Sequence, residues 1–164
     1  MQSILKLSVI ACCFLMASCS GSKKSATTAP ASRNDLKGSW VLTSTDVEGA
    51  DRGKLKITSF DDAALSCFEG SEWVLPNNGY GSYTITNGTC ATGARQILWS
   101  QRSGGGITYF RFKRMDGVKR SDSRKVEEGY SMEVTDYGKD YFTAKSPVNL
   151  DGQTIYIVYH FTKK

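Results

Sequence analysis

The sequence has little of the chemistry that catalysis and metal binding require. Its only histidine is His160, whereas nucleophilic catalysis usually pairs the nucleophile with a histidine base. Zinc sites draw on several histidine and cysteine ligands, so one histidine without a cluster of free cysteines argues against such a site. A glycine-rich loop that leads from a strand into a phosphate-binding helix is also missing. We therefore predict a protein that is not an enzyme and that carries neither a metal nor a cofactor.

The apolar run near the N-terminus is too short to cross a membrane as a helix. It covers residues 7–16, whereas a transmembrane helix needs about 20 apolar residues. The run follows the charge of Lys6 and precedes the small residues Ala17 and Ser18. A positive start, an apolar middle and a small-residue cleavage site are the order of a secretory signal peptide. We therefore predict that residues 1–18 are a signal peptide.

The end of this signal, residues 15–19 (LMASC), resembles the lipobox at which bacterial lipoproteins are cleaved and lipidated. Met16 stands where the pattern usually has leucine. The resemblance implies that the mature chain begins at Cys19, carries lipid there and is held at a membrane through it. Because serine follows Cys19 and no acidic run comes after it, the resemblance also implies an outer-membrane protein of the cell envelope that faces the periplasm.

The charge pattern gives no indication of a nucleic-acid partner. The formal net charge is +5, and the densest basic stretch, 111–125, is interrupted by Asp116 and Asp122 and followed by Glu127 and Glu128. Such a stretch is typical of a solvated strand face and loop. A patch for anionic lipid headgroups or glycans is the alternative. For an exported protein we predict no nucleic-acid binding, and the sequence leaves any protein partner open.

The five cysteines divide by position. Cys12 and Cys13 leave with the signal peptide, and Cys19 carries the lipid, so Cys67 and Cys90 remain. An even pair in an oxidising compartment predicts one disulfide. Two buried free thiols are the alternative.

The next stretch, 20–35, is small, polar and almost free of large apolar residues. A segment of this composition cannot bury enough surface to fold and behaves as a flexible linker. We therefore predict that residues 19–35 are a lipidated cysteine with its tether and that residues 36–164 are one folded domain.

From Leu36 onward apolar and polar residues alternate, which is the period of a half-buried strand. The alternating segments, among them one around Leu55 and Ile57, are separated by turn signals such as 77–79 (NNG). Eight or nine short strands at this spacing predict an all-β antiparallel barrel or sandwich. Residues 61–68 alone depart from the pattern. They predict one short helical turn, with Asp61 or Asp62 as its cap, that brings Cys67 to its partner.

A family resemblance lies in four short motifs. Residues 36–40 (LKGSW) resemble the glycine-x-tryptophan signature that opens the first strand of lipocalins, and residues 67–73 (CFEGSEW), 81–83 (GSY) and 90–93 (CATG) resemble the lipocalin-like lipoproteins of Bacteroidota. With the lipobox and the tether, the resemblance covers the whole mature chain. It implies a small lipocalin-like, or calycin-like, antiparallel β-barrel of about eight strands.

The same resemblance assigns roles to single residues. Trp40 is the expected plug of one barrel end, with Lys163 or Lys164 as the cation over its indole ring. The family's activity is largely undefined, but lipocalins carry small apolar ligands. We therefore expect a small hydrophobic or lipid-like ligand in the barrel, and the alternative is a structural or partner-binding lipoprotein whose barrel is filled and ligand-free.

Aromatic residues on the alternating strands are the candidate pocket lining. These residues are Trp73, Trp99, Phe110, Phe112 and Tyr130. One interpretation is an apolar pocket at the barrel mouth. The other is that these rings fill the core, as side chains do in small barrels.

Replacement of Cys19 by alanine tests the predicted anchor. We expect Cys19→Ala to lose palmitate labelling and to move into the aqueous phase of a detergent phase separation, since the acyl chains on this residue supply the membrane affinity. Cys13→Ala, inside the predicted signal peptide, is the matched control and should label like the unaltered chain. Equal labelling of both variants would contradict the prediction.

Overall fold

The computed structural model describes residues 29–117 and 129–164, so the predicted lipidation site at Cys19 lies outside the described residues. A four-residue helix, α1 (Arg33–Leu36), comes first. The strands that follow are β1 (Gly38–Glu48), β2 (Thr58–Ser59), β3 (Ala63–Ala64), β4 (Glu72–Leu75), β5 (Tyr80–Ile85), β6 (Gly93–Gly104), β7 (Ile107–Arg114), β8 (Tyr130–Tyr137), β9 (Tyr141–Leu150) and β10 (Gln153–Lys163). Two 3-10 turns, Arg52–Lys54 and Leu65–Phe68, lie between β1 and β4.

Eight of these strands close into an antiparallel barrel. Their order is β1, β10, β9, β8, β7, β6, β5 and β4, and β4 pairs back with β1. Strands β2 and β3 form a separate two-stranded sheet. The prediction of an all-β antiparallel barrel of about eight strands with a short helical turn is confirmed. In the described part of the chain, no helix has the length and apolarity that crossing a membrane requires.

Side chains alternate between the barrel interior and its outer wall, as the two-residue period of a strand requires. On β5, for example, Tyr83 and Ile85 are buried while Ser82 and Thr84 are only partly so. Alternation in the sequence correctly predicts most of the interior. Its buried members include Trp40, Leu42, Trp73, Leu75, Ile97, Trp99, Phe110, Phe112, Ile157, Tyr159 and Phe161.

The strand predicted around Leu55 and Ile57 is wrong as a barrel strand. Both residues lie in the connection 49–71, here called the strap, which runs from β1 to β4 across one end of the barrel. We call that end the mouth and the opposite end the base. On one side β1 pairs with β10, and on the other it pairs with β4 over 38–41 before Gly70 and Ser71 of the strap hydrogen-bond to Leu42. The carbonyl oxygen of Ile57 accepts a hydrogen bond from the Leu65 N–H within the strap at 2.8 Å, so this segment pairs locally and not with the barrel wall.

At the base, the chain just before α1 packs against the barrel. The carbonyl oxygen of Ala31 accepts hydrogen bonds from Gln101 Nε2 at 3.0 Å and from Thr108 Oγ1 at 2.9 Å. The Tyr137 hydroxyl donates to the carbonyl oxygen of Ala29 at 3.0 Å. The small side chains of this stretch allow the backbone itself to reach the barrel end.

The helix α1 continues the same contact. Leu36 is fully buried, and the Arg33 guanidinium lies 4.2 Å from the centroid of the Trp99 ring, a cation–π contact. The predicted tether boundary is therefore corrected: residues 29–35 are part of the folded domain. Composition missed this because the segment is held by its carbonyl groups and one cation, and apolar burial plays little part before Leu36.

Trp40 occupies the base of the barrel. Its ring is fully buried, and its Nε1 donates to the Leu36 carbonyl oxygen at 2.8 Å. Lys163 Nζ lies 5.4 Å from the ring centroid, whereas Lys164 pairs instead with a carboxylate on β4. Gly38, at the start of β1, has φ +137°, a conformation that side chains other than glycine rarely adopt.

The predicted disulfide is confirmed, since Cys67 and Cys90 are bonded. It joins the 3-10 turn Leu65–Phe68 of the strap to the connection between β5 and β6. The short helical turn expected over 61–68 is thus present and delivers Cys67 to its partner. Its expected cap is wrong, because the turn begins after Ala64 with no side-chain cap.

Removal of this disulfide should destabilise the domain. The bond closes a loop of 23 residues, for which the chain-entropy relation gives about 3 kcal/mol. We expect Cys67→Ser/Cys90→Ser to lower the free energy of unfolding by about that amount in guanidinium titrations. Reduction of the unaltered protein is the control and should give the same loss. Equal midpoints for the oxidised protein and the variant would show that the bond does not constrain the unfolded chain.

Candidate functional site

The strap places one aromatic ring into the mouth of the barrel. Phe60 is 6% exposed, and its backbone has φ +55°, followed by φ +46° at Asp61. Left-handed backbone is uncommon for a bulky residue and costs free energy. Contacts with five rings offset this cost. Those rings, with centroids 4.9 to 6.0 Å from that of Phe60, are Phe68, Trp73, Phe112, Tyr130 and Tyr159.

The predicted pocket residues lie below and beside this ring, and the structure brings all five together. Trp73, Trp99, Phe110 and Phe112 are each at most 1% exposed. Their centroids are separated by 5.2 Å between Trp73 and Phe112, 5.8 Å between Phe110 and Phe112, and 6.2 Å between Trp99 and Phe110. Rings at these spacings contact one another. The arrangement corresponds to the core-filling alternative, and Tyr130 alone lies at the mouth, partly exposed.

An ionic cluster beside Phe60 holds the strap in place. Asp62 Oδ2 accepts from Arg95 Nε at 2.9 Å and from the Tyr83 hydroxyl at 2.8 Å. Arg114 Nη1 lies 3.6 Å from Asp62 Oδ1. The Asp62 and Arg95 side chains are only 10% and 13% exposed. Buried charges of this kind persist only when they are paired and hydrogen-bonded, so removal of one partner is costly.

The sequence analysis missed this cluster, although alternation carries a signal for it. Arg95 has the same parity on β6 as the inward-facing Ile97, and Arg114 has the same parity on β7 as the inward-facing Phe112. Two arginines that continue an inward-facing series predict buried cations, which need an acid partner. The acid, Asp62, lies 33 and 52 positions away in the chain, so its identity required the fold.

Two tyrosine hydroxyls donate to the paired acids of the strap. The Tyr130 hydroxyl lies 2.8 Å from Asp61 Oδ2, and Arg114 Nη1 donates to the Asp61 carbonyl oxygen at 3.1 Å. Burial and the hydrogen bond to Asp61 raise the pKa of Tyr130 to about 12. Burial and the hydrogen bond to Asp62 raise the pKa of Tyr83 well above its ordinary value. Both hydroxyls therefore remain protonated donors at neutral pH.

A cleft opens beside the strap at the mouth. Its volume is about 330 Å³, and it lies between the strap, β8, β9 and β10. Volumes above about 300 Å³ are typical of small-molecule sites. Tyr130 lines this cleft, and Phe60 separates it from the packed rings of the interior.

The remaining candidate residues lie away from the mouth or outside the described ranges. His160, on the outer wall, has its Nε2 2.9 Å from Asp46 Oδ2. Of the basic stretch, Arg114 is turned into the Asp62 cluster, and positions 119–125 lie outside the described residues. The described ranges hold no group of three or more histidine, cysteine, aspartate or glutamate side chains placed to bind a metal.

These features define a strapped, aromatic-filled, eight-stranded barrel with a cleft at its mouth. No protein-family model, curated protein or solved structure matches the chain.

The raised pKa of Tyr130 predicts a pH-dependent stability. Because the folded state holds this proton more tightly than the unfolded chain, where the pKa is near 10, the stabilisation is complete below pH 10 and is lost as the pH rises through about 12. At pH 8 we expect Tyr130→Phe to lower the free energy of unfolding by about 1 kcal/mol. The difference from the unaltered protein should shrink above pH 10 in urea titrations.

Tyr109→Phe is the control for this experiment, because Tyr109 lies on the outer wall of β7 between inward-facing neighbours. It removes a tyrosine hydroxyl away from the strap and so tests whether the convergence with pH is specific to Tyr130. A Tyr130→Phe difference that stays constant from pH 8 to beyond the pKa of about 12 would contradict the assignment.

Proposed function

We propose that this protein is a lipid-anchored lipoprotein of the bacterial envelope. Its barrel is filled by its own side chains and has a structural or partner-binding role. The lipobox-like residues 15–19 support the anchor and an outer-membrane, periplasm-facing location. The packed domain starts at or before Ala29, so about ten residues separate it from Cys19. At about 3.5 Å per extended residue, this tether reaches at most about 35 Å. The barrel domain therefore stays close to the membrane to which the lipid anchors it.

The observation that carries the filled-barrel proposal is the position of Phe60. A ligand in the lumen has to displace this ring from five aromatic neighbours and disturb the strap that the Asp62 cluster holds. Removal of the contacts that a buried phenylalanine side chain makes lowers the free energy of unfolding by about 3–5 kcal/mol. A ligand bound in the lumen needs to recover that free energy before it gains any affinity.

The second candidate function is the carriage of a small hydrophobic ligand, as the lipocalin-like resemblance implies. The cleft of about 330 Å³ beside Phe60 favours it. In this case the ligand occupies the mouth rather than the lumen, where Phe60 and Tyr159 border the cleft.

Truncation of Phe60 tests the filled barrel. We expect Phe60→Ala to lower the free energy of unfolding by about 3–5 kcal/mol and to leave an apolar void that binds benzene, as engineered apolar cavities do. Saturating benzene should raise the melting temperature of the variant and leave that of the unaltered protein unchanged.

Phe60→Leu is the matched control, because leucine keeps an apolar side chain in the mouth and lacks the aromatic ring. This variant should fold more stably than Phe60→Ala and bind benzene more weakly. If the unaltered protein binds benzene or a fluorescent fatty acid in its lumen as tightly as Phe60→Ala does, the filled-barrel proposal is wrong.

A further inference from the structure

The barrel wall has a gap at the mouth, between β8 and β9. In the described part of the chain, the ladder that joins these strands ends at the pair Glu133 and Lys145. Beyond it, β9 continues to Leu150 paired with β10, and the first residues of β8 pair with β7. The two strands therefore separate as they approach the mouth, and their facing edges do not hydrogen-bond to each other there.

The cleft described above occupies this gap. The strap forms one of its sides, β8 and β9 form its walls, and β10 lies behind. Most of the lining is apolar or aromatic, with serine and threonine hydroxyls between. The residues on which the argument depends are Phe60, Asp61, Tyr130, Met132, Val148 and Tyr159.

Among the described residues that line this cleft, Asp61 alone is charged. Its carboxylate accepts the Tyr130 hydroxyl at 2.8 Å. Arg114 donates to the backbone oxygen of Asp61 and forms its ion pairs with Asp62 and Asp116. Among the described residues, no lysine or arginine forms an ion pair with the Asp61 carboxylate, whereas the neighbouring Asp62 is paired with Arg95 and Arg114.

The ring of Tyr130 adds a second attraction of the same sign. Tyr130 lines the cleft and is partly exposed, and aromatic rings attract cations that are partly shielded from water. Phe60 and Tyr159, which also border the cleft, are buried and stacked on each other. An anionic ligand, including a fatty-acid carboxylate, meets a carboxylate here, and the described part of the lining holds no lysine or arginine to offset it.

We infer that this cleft binds a small amphipathic cation, that is, an ammonium group on an apolar aryl or alkyl body. The ammonium group lies against Asp61, and the body lies between β8 and β9 on Met132 and Val148. The site goes beyond the filled-barrel proposal, because it lies outside the lumen. The two proposals also fail separately: benzene in the Phe60 variants reports on the lumen, and charged probes report on the cleft.

The test compares two probes of similar size and opposite charge, benzyltrimethylammonium and phenylmethanesulfonate. Each is titrated calorimetrically into the full mature chain in nanodiscs of zwitterionic lipid, with empty nanodiscs as the blank. The cation should bind at least about tenfold more tightly than the anion. Asp61→Asn should weaken the cation about fivefold, the scale of an exposed charge interaction. Asparagine tolerates the left-handed backbone of this position, so the strap keeps its shape.

Asp116→Asn is the matched control, since it removes the same charge from an exposed residue near the mouth that does not line the cleft. It should leave the affinity for the cation within about twofold. Val148→Trp fills the cleft from β9 and should abolish binding of the cation without displacing Phe60. No measurable binding of the cation up to about 10 mM, equal affinity for both probes, or equal weakening by Asp61→Asn and Asp116→Asn would each overturn the inference.

Discussion

The mouth of this barrel depends on the ion pair between Asp62 and the arginines of β6 and β7. Asp62 and Arg95 are nearly excluded from water and lie 2.9 Å apart. Charges in such a place are tolerated only as a pair, and loss of one partner typically costs 3–5 kcal/mol. The pair fixes the strap next to two residues in left-handed backbone, Phe60 and Asp61. The ionic cluster on one side and the aromatic contacts on the other therefore hold Phe60 in its strained backbone conformation.

The same arrangement determines what the barrel can hold. Eight strands enclose an interior just wide enough for side chains to fill or for one small ligand, and here Trp73 and Phe112 with their aromatic neighbours take that space. The strap then adds Phe60 from above, and the disulfide at Cys67 ties the strap to the connection between β5 and β6. The cleft lies outside this packed interior, at the edge of the mouth where β8 and β9 part.

Much of the fold could be predicted from the sequence, because the alternation of apolar and polar residues along a strand is a local property. The inward faces of β1, β4, β5, β6, β7 and β10 follow from a period of two residues, and the disulfide follows from an even pair of cysteines. The prediction failed where the same period occurs outside the barrel wall. The segment around Leu55 and Ile57 became part of the strap, in which the carbonyl oxygen of Ile57 accepts from the Leu65 N–H and β2 pairs with β3. The candidate cleft could not be predicted, because Asp61 and Val148 come to line the same cleft only after the barrel closes.

The sequence by itself indicated an all-β chain with an aromatic interior, and it predicted one disulfide and, from a resemblance, a lipidated cysteine near the start. Each of these rests on composition, spacing or a short motif. Only the tertiary structure decided how the interior is used, because filling a barrel depends on whether side chains from distant strands meet. It also placed Ala31 against the base and Phe60 in the mouth. Contacts of this kind join residues up to about a hundred positions apart, over which neither propensity nor periodicity carries information.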